Sequence, residues 1–206
     1  MRTAALFFSL LVFCGCSRQK TESSLAEERG PDSYKVHFET SKGDFVVAVT
    51  REWAPLGADR FYTLVKSGFF DGARFFRVLP GFVVQFGIAA DPAVTAKWKN
   101  ANLADDPVKQ SNRRATLSFA TSGPNTRTAQ VFINLGDNAR LDQSGFSPFG
   151  AVAQGMEVVD QFFSGYGEGA PNGNGPAQSS IESDGNAYLM RDFPKLDYIK
   201  KATIEK

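Results

Sequence analysis

Apolar and polar positions alternate over residues 34–40, YKVHFET, and a second strand-like run, FVVAV, with larger and smaller apolar residues, occupies 45–49, with Ser41-Lys42-Gly43-Asp44 between them. A period of two places successive side chains on opposite faces, so the two runs predict a β-hairpin with the glycine in its turn. The period then lengthens. Over residues 55–67, Pro55 stands in the first turn, Phe61, Leu64 and Val65 share one face and Gly68 follows the last turn, which predicts a helix. Short apolar runs at 74–86, 115–121, 131–134 and 149–153 predict further strands. Residues 156–163 predict a second helix with Met156, Val159 and Phe163 on one face, and residues 196–203 a closing strand. Two helices among many short strands predict a mainly β fold, a barrel capped at its ends. Residues 165–175, GYGEGAPNGNG, are glycine-rich but lack the Gly-Lys-Ser/Thr ending that a phosphate loop needs, so they predict a long surface loop. Asn125-Thr126-Arg127, after Gly123-Pro124, predicts a turn.

The N-terminus has a different pattern. MRTAALFFSLLVFCGC carries one basic residue, an apolar run over residues 4–13 and then small residues. About ten apolar residues are too few for a bilayer crossing, which takes roughly 20, so the stretch predicts a secretory signal. Phe13-Cys14-Gly15-Cys16 resembles a bacterial lipobox, which would make Cys16 the lipidated first residue of the mature chain. Ordinary cleavage nearby, leaving a soluble periplasmic protein, is the alternative. Residues 17–33 are polar and mixed in charge, as expected of a tether. The expected organisation is therefore a lipoprotein-type signal at 1–15, a tether at 16–33 and one folded domain at 34–206. A location in the cell envelope follows, facing the periplasm and anchored to a membrane through lipid.

Composition narrows the chemistry. The chain has 206 residues, one histidine (His37) and two cysteines (Cys14 and Cys16), so residues 34–206 hold no thiol nucleophile and no Cys or His cluster for zinc. His37 falls in an alternating run and is expected to be an ordinary strand residue. Basic and acidic residues number 23 and 22, and removal of Arg2 with the signal leaves 22 against 22, so no basic field points to nucleic acid. The 19 phenylalanines are ample for a core. With no cysteine after Cys16, no disulfide supports the domain.

One segment stands out chemically. RFFRVLPGFVVQFG, residues 74–87, sets Arg77 and Gln85 among apolar residues around a Pro-Gly turn. A guanidinium stays charged and carries five donors, so it is costly to bury unless a partner binds it. A carbonyl-bearing ligand is the expected partner.

The order FFRVLPGFVVQ, SFA, SGPNT, AQVFI, LD and FSPFG resembles the cyclophilin-type peptidyl-prolyl cis-trans isomerases across residues 34–204. The resemblance implies a closed eight-stranded β-barrel capped by two helices, acting as a monomer on proline-containing polypeptides without metal or cofactor. It makes Arg77, Phe82 and Gln85 catalytic. It places Val83, Phe119, Ala120, Thr121, Gln130, Phe132, Leu141 and Phe146 against the substrate, with Phe82, Val83, Phe132 and Leu141 around its proline ring. Three positions depart from the common pattern: Val83 stands where many members have methionine, Arg140 where many have tryptophan and Phe146 where eukaryotic members commonly have histidine. These bear on substrate preference and cyclosporin affinity more than on the reaction. Residues 165–175 and 185–189 together resemble an extension of some bacterial members.

The reaction suits such a site. An X-Pro bond rotates over a barrier of roughly 18–20 kcal/mol, and an acceleration of about 10⁵ requires ~7 kcal/mol of preferential transition-state binding. In the twisted state amide resonance is broken and the proline nitrogen regains a lone pair that a guanidinium can bond. The expected activity is X-Pro isomerisation in exported or envelope proteins; a non-catalytic proline-peptide binder or holdase is the alternative.

Overall fold

The computed structural model describes residues 27–205. The expected signal, Cys16 and most of the expected tether lie outside the described residues.

The two runs form the predicted hairpin. β1 (Ser33–Thr40) pairs antiparallel with β2 (Gly43–Thr50), Val36 opposite Val47 and Phe38 opposite Phe45, and these four side chains are buried. His37 points the other way, and its Nε2 lies 3.1 Å from an Asp44 carboxylate oxygen. The remaining strands are β3 (Arg77–Leu79), β4 (Val83–Phe86), β5 (Thr116–Phe119), β6 (Val131–Asn134), β7 (Pro148–Gln154) and β8 (Ile199–Ile204). They form one strongly curled antiparallel sheet in the order β3-β4-β6-β5-β7-β2-β1-β8.

The ladder is not the continuous closed barrel that the resemblance implies: β3 and β8 stand at its two ends. β3 is only three residues long, and the ends meet between the residues just before it and the start of β8. Arg74 and Tyr198 form an isolated bridge. Gly72 N donates to Ile199 O at 2.8 Å, Phe75 N to Asp197 O at 3.0 Å and Ile199 N to Ala73 O at 2.9 Å.

Inside the curl the core is largely aromatic. Phe38, Phe45, Phe61, Phe70, Phe75, Phe86, Phe119 and Phe149 are all essentially inaccessible, and Phe38 stacks on Phe45 at 4.7 Å. The predicted helix at 55–67 is found as α1 (Pro55–Lys66), which buries Phe61, Leu64 and Val65. Its N-terminal amides have no local cap; Leu56 N and Gly57 N instead donate to the Asp106 carboxylate at 3.0 and 2.9 Å.

The sequence predicts two helices and four α-helices are found among the described residues. α2 (Pro92–Trp98) starts at Asp91, whose side chain accepts from Ala93 N at 2.8 Å. α3 (Met156–Val159) is shorter than the predicted second helix. α4 (Gln178–Asp192) lies partly in the segment expected to be an extension, and Gly185 breaks it with φ 56° and ψ −139°. A side chain at Gly185 would meet Ala90 O at 2.4 Å, so α4 can approach the start of α2 only because this residue has none. Ile181 and Leu189 of α4 join Phe76, Ile88 and Leu196 in a second hydrophobic cluster.

The last residues of the expected tether are packed onto the domain. Arg60, 2% exposed, donates from Nε to Glu27 Oε1 at 2.8 Å, Glu28 N donates to Thr63 Oγ1 at 2.9 Å and Gly30 N to Asp59 Oδ1 at 2.9 Å. Among the described residues no helix is long and apolar enough to cross a membrane.

Candidate active site

Strand register assembles the site. Arg77 of β3 lies opposite Gln85 of β4, and Gln85 lies opposite Phe132 of β6. Residues directly opposite share a face. The neighbouring row, Val78, Val84, Ile133 and Leu117, faces the core and is at most 4% exposed. The same alternation that fills the interior therefore sets a cation, an amide and an aromatic ring side by side on the outer surface of the curl.

They open into a cleft of about 380 Å³. Of the expected site residues, Arg77, Phe82, Val83, Gln85, Ala120, Thr121, Phe132, Leu141 and Phe146 line it together. Phe146 meets Phe132 edge-on at 5.6 Å. The Phe82 ring has two cations near it, the Arg77 guanidinium at 5.6 Å and that of Arg140 at 4.9 Å. Gln130 lies in a smaller adjoining recess of about 130 Å³. Phe119 is a correction: its ring, expected at the rim, is 1% exposed and packs on Phe149 at 5.2 Å inside the sheet. In TLSF the inward positions are Leu117 and Phe119, so alternation keeps this ring away from the cleft.

The cleft also contains residues that no sequence motif marks. Glu168, from the glycine-rich loop, binds the Arg77 guanidinium at two points, Nε to Oε1 at 2.6 Å and Nη2 to Oε2 at 2.7 Å. Asn172 of the same loop and Gln178 at the start of α4 complete the wall. A chain of hydrogen bonds crosses the floor: Arg77 Nη1 donates to Gln85 Oε1 at 3.2 Å, Gln85 Nε2 to Gln130 Oε1 at 2.8 Å and Gln130 Nε2 to Gln178 Oε1 at 3.0 Å. One end of this chain, Glu168, comes from the stretch whose composition predicts only a surface loop, and the other, Gln178, lies just beyond that stretch. The signal that points to Glu168 is the lone acid in a run of glycines, in a chain whose key arginine has no counter-charge nearby in sequence.

Arg77 is 19% exposed at its side chain and Glu168 37%. The bonds from Arg77 hold the Glu168 carboxyl below its ordinary range, outweighing the opposing effect of burial; the Gly169 amide, 2.9 Å from Oε1, helps. Leu141 and Phe146 are positioned by the short 3-10 helix Ala139–Ser144 and its Asp142, which accepts from Ser111 Oγ at 2.6 Å, Asn112 N at 2.8 Å and Asn112 Nδ2 at 2.8 Å. Asn112 Nδ2 also donates to Phe146 O at 2.8 Å. No group of three or more His, Cys, Asp or Glu side chains able to hold a metal occurs among the described residues. The arrangement can grip an apolar ring between Phe82, Phe132 and Leu141 and offer guanidinium N–H groups beside it.

Comparisons with known proteins agree with this geometry. The profile of the family described as cyclophilin type peptidyl-prolyl cis-trans isomerase/CLD matches residues 35–181. Peptidyl-prolyl cis-trans isomerase A of Dickeya dadantii is 40% identical over 138 residues, 63% of this chain and 70% of that protein. A Schizosaccharomyces pombe peptidyl-prolyl cis-trans isomerase is 37% identical over 129 residues, 60% of this chain and 81% of its own. A crystal structure of a Cryptosporidium parvum cyclophilin type isomerase superposes with TM-score 0.62 at 22% identity, covering 84% of this chain and 98% of that one. The same protein was also crystallised in the presence of the dipeptide Ala-Pro, and that structure superposes with TM-score 0.60.

Proposed function

This chain belongs to the cyclophilin-type peptidyl-prolyl cis-trans isomerases, and from that premise we propose that it isomerises X-Pro bonds in exported or envelope polypeptides, with Arg77 as the catalytic cation. The observation that carries the assignment is the position of Arg77, with its guanidinium beside Phe82 in a cleft whose walls include Phe132 and Leu141. Phe82, Val83, Phe132 and Leu141 hold the proline ring. Ala120 and Thr121 meet the peptide at the rim, and Gln130 with Gln85 holds the substrate backbone and the arginine. Phe146 closes the far edge of the ring pocket through its contact with Phe132.

The chemistry requires no bond to a nucleophile. A planar amide nitrogen accepts no hydrogen bond, whereas the nitrogen of the twisted amide does, so an N–H donor from Arg77 stabilises the transition state over both flat isomers. The apolar walls fix the ring while the carbonyl side turns, and exclusion of water strengthens the bonds formed. Replacement Arg77→Ala is expected to lower kcat/KM on a short X-Pro peptide by about a hundredfold or more, the order seen when one transition-state donor is removed. Two-dimensional exchange NMR measures this, and an unchanged exchange rate in a folded variant would reject the assignment.

The envelope location rests on Met1 to Cys16 and on the lipobox-like Phe13-Cys14-Gly15-Cys16. Several acyl chains would hold the protein firmly at a membrane, since each buried CH₂ contributes about 0.8 kcal/mol and one chain alone is marginal. Mass spectrometry of the mature N-terminus in a bacterial host should find an acylated Cys16 that Cys16→Ala abolishes. A mature chain that begins elsewhere without lipid would leave only the soluble periplasmic alternative.

A further inference from the structure

We propose that Glu168 is a positioning residue of the isomerase: its carboxylate fixes the orientation of the Arg77 guanidinium so that the remaining N–H groups are presented to the rotating X-Pro bond. The proposal rests on the catalytic assignment of Arg77 above.

An arginine side chain has many rotamers, and a donor that must meet a lone pair existing only in the twisted state gains from being held in place beforehand. Of the five N–H groups of Arg77, Glu168 takes one on Nε and one on Nη2, and Gln85 takes one on Nη1. One N–H on each terminal nitrogen is left over. A two-point carboxylate pair fixes the plane of the group as well as its distance. The ring pocket between Phe82, Phe132 and Leu141 stays open beside it, within a cleft of about 380 Å³.

The loop is built around this one side chain. The backbone oxygen of Glu168 accepts from Gly175 N at 2.8 Å, Ala170 N donates to Gly175 O at 3.1 Å and the Glu168 carboxylate accepts from Gly169 N. A Cβ on Gly173 would lie 2.4 Å from the Glu168 oxygen, so the turn closes this tightly only with glycine there. Beyond the loop, α4 buries Ile181 and Leu189 in the cluster that contains Phe76, the residue immediately before Arg77. Glu168 and Arg77 are thus anchored on one packed unit, the arrangement of a fixed fitting and not of a lid that swings over the cleft.

The test compares the full chain with Glu168→Ala and Glu168→Gln, each also in an Arg77→Ala background, using exchange NMR for kcat and KM and peptide titration for affinity. We expect kcat to fall about tenfold or more in Glu168→Ala, with KM and peptide affinity within about twofold. The variant should cause no further loss when Arg77 is already alanine. The Arg77 Nε–H resonance, identified by its disappearance in Arg77→Lys, should shift and exchange faster with water in both Glu168 variants. An unchanged or increased kcat in Glu168→Ala, or an equal loss in the Arg77→Ala background, would overturn the proposal; an increase would mark the carboxylate as a competitor of substrate. If Glu168→Ala does not fold, Glu168→Gln, which keeps the volume and one acceptor, decides on the same criteria. Arg77→Ala alone tests the catalytic assignment, so the two failures are told apart.

Discussion

At the scale of single residues, the site is a compromise between charge and apolar surface. In the proposed function Arg77 sits beside apolar walls that would hold a proline ring, and a guanidinium there needs acceptors; Glu168 and Gln85 supply them without filling the cleft. The cost is electrostatic. A paired guanidinium offers less net positive charge to the substrate nitrogen than a free one, so the donors left over act through placement more than through field strength. Most of this residue set is legible in the sequence. Arg77, Gln85 and Phe132 come from three strands, and it is the order of the motifs, through the resemblance they carry, that assigns them to one site; VVQF and VFIN show no alternation that would do so alone. Two failures have physical reasons. Phe119 belongs to a recognisable motif, but its inward phase in TLSF sends the ring to Phe149. Glu168 is 91 residues from Arg77 in sequence, and no periodicity marks a side chain presented by a glycine turn.

At the scale of elements, α1 is legible because its burial is periodic, and β6 (Val131–Asn134), buried at all four positions, because it is a short apolar run; both fall where expected, to within a residue. The helices that patterning does not reveal bury little. α4 buries only Ile181, Gly185 and Leu189 of fifteen residues and is broken at Gly185, so no sustained stripe announces it. The 3-10 helix Ala139–Ser144 buries no residue of its own and is held by polar bonds to Asp142, a kind of order that apolar patterning cannot register. These bonds lead to a prediction. Burial pushes the Asp142 carboxyl up, yet the bonds from Ser111 and Asn112 outweigh it and leave it below its ordinary range. A carboxyl depressed on folding contributes stability above its unfolded pKa and loses it as the pH falls through the folded value. Stability should therefore decline on acidification below the ordinary carboxylate range, and Asp142→Asn should flatten that decline. At neutral pH the substitution should cost about 1–2 kcal/mol, because an amide cannot accept from all three donors. Peptide affinity should weaken too, since Leu141 and Phe146 flank the carboxylate in sequence and both line the cleft. Urea melts at several pH values check the first outcome and peptide titration the second; parallel pH profiles for the two proteins would refute the argument.

At the scale of the whole molecule, the curled sheet sets the row of Arg77, Gln85 and Phe132, while segments outside the sheet complete what it cannot supply. The loop and α4 provide the counter-charge and one wall. Towards the other end of the chain, residues 27–30 are docked on α1, although their polar composition predicts a tether; composition reports what a segment can bury in its own apolar surface and not which buried charge elsewhere requires it. That charge is Arg60, whose side chain is 3% exposed. Its Nη1 donates to Ala101 O at 2.8 Å and Thr128 O at 2.7 Å, and Trp98 lies 5.2 Å beneath it, but Nε and Nη2 both donate to Glu27. Removal of the carboxylate by Glu27→Ala would leave two donors of a buried cation unpaired, which costs about 2–3 kcal/mol when the lost acceptor is charged. In a domain of this size that corresponds to a fall in Tm of roughly 5–10 °C. Thermal melts of the full chain measure it. A Tm unchanged by Glu27→Ala would mean that Arg60 is satisfied without Glu27, and that the domain begins where its alternating pattern does, at β1.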